Sequence, residues 1–189
     1  MSGSPDWPAD AGPVLTGLAR AAIAERLGGG RAAPSDRPEW LREPGAAFVT
    51  LTAAGRLRGC IGSLVAHRPL GEDVAANARA AAFDDPRFAP VRAGELAGLH
   101  IEVSVLSPPT PMTFAGKADA LAQLRPGVDG VILKAGYHRA TFLPQVWEEL
   151  PEPEQFIAHL MAKAGLPAHH WDDGVSLDRY TVTAFDEVA

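Results

Sequence analysis

Residues 46–66 read AAFVTLTAAGRLRGCIGSLVA. Two runs rich in β-branched and aliphatic residues flank Ala53, Ala54 and Gly55, a turn too short for anything but an antiparallel pair, and this predicts a β-hairpin. Outward from it, LHIEVSVLS at 99–107 alternates cleanly, with Ile101, Val103 and Val105 on one face and His100, Glu102 and Ser104 on the other. GVILKA and HRATFL predict two more strands, and roughly Asp178 to Phe185 predicts a last one. Between the strands, Val14, Leu15, Leu18, Ala22, Ile23 and Leu27 recur at helical spacing from Pro13, with Gly28 to Gly30 as the stop. Pro69 opens a second helix whose apolar face carries Leu70, Val74, Ala78, Ala81 and Ala82, ended by the DDP at 84–86. A short helix near 117–124 and a longer one carrying Phe156, Ile157, Leu160 and Met161 complete the pattern. The expectation is an α+β fold, a largely antiparallel sheet packed with helices in a single compact domain. Residues 1–12 read as a disordered tail, and 31–44 as a surface loop anchored by Trp40 and Leu41.

Composition bounds the function. The chain has 189 residues, 47% hydrophobic and 21% charged, with a formal net charge of -6. These values describe an ordinary globular protein and leave out disordered, collagen-like and coiled-coil classes. The acidic balance argues against a generally basic surface for nucleic acid or anionic lipid. No run of about 18 apolar residues is present, and no basic or apolar leader pattern opens the chain, so the expected location is the cytoplasm, with no membrane partner. Arginine and alanine usage fits a GC-rich bacterial genome.

One cysteine excludes an internal disulfide and a multi-cysteine zinc site, leaving a small core residue or a reactive thiol. In an extended chain Leu57 and Ile61 would face the core, with Arg58 and Cys60 together opposite, so that the guanidinium favours the thiolate. Gly59 and Gly62 beside the thiol predict a bulge, a bend or close approach to the backbone. A nucleophilic thiol needs a base, and His67, His100 and His138 are the candidates. His100 shares a face with Glu102, giving Cys60, His100 and Glu102 as a candidate triad. His169, His170, Asp172 and Asp173 read as a helix-end turn, so no metal site is expected. Asp84, Asp85, Arg87 and Phe88 read as a capping loop that could also meet a ligand. Arg56, Arg58, Arg79 and Arg87 are the residues from which a local basic patch could be built. Neither GxGxxG nor a P-loop occurs, and no cofactor is indicated.

Seven collinear blocks resemble the AMMECR domain family, whose bacterial members include protein A of the AmmeMemoRadiSam system. They are GAAFVTL (45–51), LRGCIGS (57–63), DDPRFAPV (84–91), IEVSVLSPP (101–109), GVILKAG (130–136), ATFLPQVW (140–147) and KAGL (163–166). The resemblance implies a domain over 13–189 with a larger and a smaller lobe and the LRGCIG segment near a cleft between them. It implies Arg58, Gly59, Cys60, Ile61 and Gly62 as the signature site, with Asp85 and Arg87 of the DPRF block and Glu102 of the IEVSVL block as secondary candidates. From this, Cys60, Arg58 and Glu102 are the catalytic candidates, and Gly59, Ile61, Gly62, Asp85 and Arg87 the ligand-binding ones. It further implies association with a Memo-like protein and a radical SAM protein. Three functions follow in order of expectation: an accessory domain of such a system with a small-ligand cleft, an enzyme using Cys60, and a nucleic-acid-binding regulator.

Overall fold

A computed structural model describes residues 7–29 and 38–188. The chain divides into two compact units, residues 1–107 with 183–189, and residues 108–182. The fold is α+β with antiparallel pairing, as expected, but the strands form two sheets rather than one.

In the first unit the hairpin is β1 (Pro44–Ala53) and β2 (Arg56–Gly62). Its turn residues Ala54 and Gly55 have φ of 49° and 74°, the left-handed pair that matches the twist of a two-residue hairpin. The short β3 (Arg68–Pro69) pairs with the start of β1, and β4 (Leu99–Leu106) lies along the other side of β1. Ala47, Val49 and Leu51 of β1 and Ile101, Val103 and Val105 of β4 are all buried on one face. Helices α1 (Ala11–Arg26) and α2 (Leu70–Phe83) cover that face. Ala75, Ala78, Ala81 and Ala82 lie on the buried side of α2, so its C-terminal half brings its backbone close to the sheet. The helix α1 begins two residues before Pro13, and Trp7 packs edge-on to Trp40 and Phe185. Residues 7–12 are therefore part of the body rather than a tail; residues 1–6 of the expected tail, and 30–37 of the expected loop, lie outside the described residues. Within that loop a 3-10 turn at Glu39–Arg42 buries Leu41.

The second unit has the sheet order β5-β8-β6-β7, from β5 (Thr110–Pro111), β6 (Gly130–Ala135), β7 (His138–Phe142) and β8 (Val175–Tyr180). The helices α3 (Lys117–Gln123) and α4 (Pro153–Lys163) accompany it. Phe156 of α4 is fully buried and stacks on Trp147 at 3.8 Å, while the Trp147 indole N–H donates to the Asp129 carbonyl at 2.7 Å. The single final strand expected over 178–185 is two. β8 ends at Tyr180, and β9 (Val182–Asp186) joins the first sheet beside β4. Arg20 of α1 fixes this last segment, donating to both carboxylate oxygens of Glu187 (2.5 and 2.6 Å) and to the carbonyls of Leu96 and Leu99.

Candidate functional site

Cys60 sits on β2, an edge strand, where its neighbours follow from register. Leu51 of β1 pairs with Gly59 but Thr52 pairs with Leu57, so Arg58 is the extra residue of a β-bulge. The bulge shifts the alternation by one, which corrects the expected faces. Gly59 and Ile61 point to the helices. Leu57 falls on the open face with Cys60 and is 44% exposed. Arg58 does not share the face of Cys60; its guanidinium donates to Glu95 at 3.1 and 3.4 Å. That pair, with the Arg92 N–H bonded to the same carboxylate, holds the Glu95 carboxyl below its ordinary range.

The two glycines of the signature are explained by close packing against protein groups. A Cβ on Gly59 would lie 2.1 Å from the Ala81 carbonyl oxygen of α2. A Cβ on Gly62 would lie 2.2 Å from the ring of Phe48, its cross-strand partner. Gly59 thus lets the helix backbone reach the sheet, and Gly62 makes room for an aromatic ring laid over the strand.

The DPRF block closes the edge. Asp85, 4% exposed, accepts the Cys60 N–H at 3.0 Å through Oδ2, and Arg87 Nη2 donates to the Cys60 carbonyl at 3.2 Å. Arg87 also donates to Asp85 through Nε (3.0 Å) and Nη2 (2.7 Å). The carboxylate and guanidinium take up the N–H and C=O that a neighbouring strand would otherwise bond, which blocks further pairing at this point of the edge. Asp85 and Arg87 stand at Cys60 and bond its backbone rather than its thiol. The Arg87 bonds, then the Cys60 N–H, hold the Asp85 carboxyl far below the usual carboxylate range. A depressed carboxyl adds stability above its unfolded pKa, about 3.9, and loses it as pH falls through the folded value. Asp85→Asn should therefore be less stable than wild type at pH 7, with a gap that narrows progressively below about pH 4. Denaturant midpoints at neutral and acid pH check this; a gap independent of pH would contradict it.

On the open face, Thr50 pairs with Cys60 on one side and with Glu102 on the other, so the three side chains form one row across β2, β1 and β4. Thr50 Oγ1 donates to Cys60 Sγ at 3.4 Å, and Ser104 Oγ donates to Glu102 at 3.0 Å. Cys60 and Glu102 are two strand spacings apart, about 10 Å. The carboxylate is thus out of hydrogen-bond reach of the thiol. His100 lies two residues further along the strand, opposite Thr52, and bonds Asp186 at 3.0 Å. The expected Cys60, His100, Glu102 triad is not assembled. His67 bonds the Val65 carbonyl and His138 the Ala164 carbonyl. His170 pairs with Asp172 at 3.2 Å, and no metal-binding cluster occurs among the described residues.

Residues 16–185 match the AMMECR1 family profile. The chain belongs to the AMMECR1 family. A protein of Methanothermobacter thermautotrophicus is 40% identical, covering 94% of this chain and 95% of its own length. Protein MJ0810 of Methanocaldococcus jannaschii is 36% identical, covering 94% and 90%. The crystal structure of the uncharacterized protein PH0010 from Pyrococcus horikoshii superposes with a TM-score of 0.77 at 37% identity, covering 93% of this chain and 91% of that one. These three relatives are archaeal.

Another polar cluster in this AMMECR1 domain was not anticipated. Asp73 of α2 is fully buried and accepts from the Ala47 N–H (2.9 Å), Ser63 Oγ (2.7 Å), Arg68 Nε (2.7 Å) and Asn77 Nδ2 (2.9 Å). Asn77 also donates to the Ala47 carbonyl at 3.0 Å. One carboxylate thus joins β1, the end of β2, β3 and α2. The available signal was spacing: Asp73 and Asn77 are i, i+4 and flank the apolar Val74 and Ala78 of the same helix.

Proposed function

We propose that this AMMECR1 protein is an accessory interaction domain, working with a Memo-like protein and a radical SAM protein, and that the open-face row of Cys60, Thr50 and Glu102 is its recognition surface. The partner classes come from the family resemblance. The observation that carries the binding role is the disposition of the signature's charged groups. Arg58 is taken up by Glu95, and Asp85 and Arg87 by the backbone of Cys60, while Sγ meets a hydroxyl. A nucleophile needs a base at hydrogen-bond distance, and among the described residues no histidine or carboxylate bonds Sγ. What the row offers is a thiol, a hydroxyl and a carboxylate held at fixed strand spacing, suited to recognition by a partner's polar groups. Co-expression and pull-down with a Memo-like protein tests this. A complex is expected, and its absence for the full chain sinks the reading.

The Arg87 guanidinium near Cys60 supports a second reading, an enzyme with a reactive thiol. Iodoacetamide decides between them. The interaction reading expects alkylation of the folded protein at neutral pH no faster than that of a free thiol such as glutathione; alkylation faster by about tenfold or more supports the enzyme. The nucleic-acid reading has least support. Of its four arginines, Arg58 and Arg87 are hydrogen-bonded to carboxylates, leaving Arg79, in a long exposed pair with Glu25, and Arg56 at the hairpin turn.

A further inference from the structure

On the helix-covered side of the first sheet, opposite its open face, α1 and α2 run parallel. Arg26 meets Asp84 at 3.4 Å and Glu25 meets Arg79 at 3.8 Å near their C-terminal ends. Between them lies a hollow of about 420 Å³, within the range of roughly 300–1,000 Å³ typical of small-molecule sites. Its walls are two helical stripes. Leu18, Ala22 and Glu25 are i, i+4, i+7 on α1, and Glu72, Ala76 and Arg79 are i, i+4, i+7 on α2, with Arg68 of β3 at the same end as Glu72. The alanines leave the space, and opposite charges stand at both ends.

We propose that this hollow binds a peptide of dipeptide size through its two free termini. Each end of the hollow carries one arginine and one glutamate, and seven helical residues separate the ends by about 10 Å. An extended dipeptide spans about 7 Å, and the inward reach of the end side chains makes up the difference. The two charges of a single amino acid are too close together to serve both ends. Arg68 is preorganised, since its Nε is held by the buried Asp73 carboxylate. It lies beside the N-terminus of α2, where the helix dipole favours a carboxylate. Glu25 lies in the last turn of α1, where the dipole favours an ammonium. The Glu25–Arg79 pair is longer than a hydrogen bond and exposed; pairs of this kind are weak, so Glu25 is available to the ligand's amino terminus. The apolar side chain rests on Leu18, Ala22 and Ala76.

The test is a titration of ¹⁵N-labelled full-length protein with leucylalanine, N-acetyl-leucylalanine and leucylalanine amide, followed by amide shifts. Saturable shifts of residues 18–25 and 72–79 are expected with leucylalanine. Capping either terminus should weaken binding by about tenfold or more, the worth of one charge-assisted hydrogen bond. In Glu25→Gln, an exposed change that leaves the fold intact, the cost of acetylation should vanish. In Ala76→Phe, which fills the hollow from a half-buried position, binding should be lost while the spectrum stays dispersed. Absence of saturable shifts at millimolar leucylalanine overturns the proposal. So does equal binding of the acetylated peptide to wild type, or an acetylation cost unchanged in Glu25→Gln. The Glu25→Gln arm decides alone if Ala76→Phe does not fold.

Discussion

Replacing Gly59 with alanine is expected to destabilise the protein by about 3 kcal/mol or more, at the top of the range for overpacking a tight core. The added Cβ would lie 2.1 Å from the Ala81 carbonyl oxygen and 3.0 Å from its carbon. These are backbone atoms in the last turn of α2, so no rotamer change relieves the clash. The helix has to move off the sheet, opening the alanine interface that its close approach created. For a chain of this size the loss corresponds to a melting temperature lower by about 6–12 °C. Gly62→Ala is the informative control: its obstacle is the Phe48 ring, which can swing outward, so the loss should be smaller. Differential scanning calorimetry of both variants checks the order. A Gly59→Ala protein melting with wild type would mean that α2 does not press on β2 at the signature.

The second large effect is expected at Asp73. Asp73→Ala leaves the Ala47 N–H, Ser63 Oγ and Asn77 Nδ2 without their shared acceptor, and separates Arg68 from its countercharge. Arg68 is partly exposed and can be hydrated, and Asn77 keeps the Ala47 carbonyl and Ser63 Oγ as acceptors, but the Ala47 N–H is buried and loses its acceptor. Leaving buried donors unmatched costs about 1–3 kcal/mol each, and removing one partner of a buried pair about 3–5 kcal/mol. We expect a net loss of about 4 kcal/mol, a large part of the total stability of a typical domain. Urea denaturation followed by tryptophan fluorescence measures it. Asp73→Asn, which keeps one acceptor oxygen, should fall between wild type and Asp73→Ala. A loss below about 1 kcal/mol for Asp73→Ala would show that water replaces the carboxylate there.

The hairpin, the alternation of β4 and the helical stripes of α1, α2 and α4 were legible because each obeys one period over a whole element. The face of Arg58 was not. A bulge inserts a single residue and reverses every side chain beyond it, and the sequence signal, two glycines near an arginine pair, fits several geometries. Likewise the end of the chain reads as one strand because both halves are apolar and extended; its division between two sheets at residue 181 depends on partners distant in sequence. Asp85 and Arg87 could be named as candidates, yet their action on the backbone of Cys60 rather than on its thiol depends on β2 being an edge strand. Asp73 escaped notice because a buried carboxylate is recognisable only by the donors around it, and those come from four separate segments.

The open face is the part of the account on which the functional reading depends. Its most direct test is a pull-down of the Memo-like protein with wild type and with Glu102→Lys. That substitution reverses the charge at one end of the row and leaves the Asp85–Arg87 clamp and the helix-packed core untouched. Wild type is expected to retain the partner, and Glu102→Lys, folded and melting within a few degrees of wild type, to retain about tenfold less or none. Equal retention by the two proteins would contradict that reading.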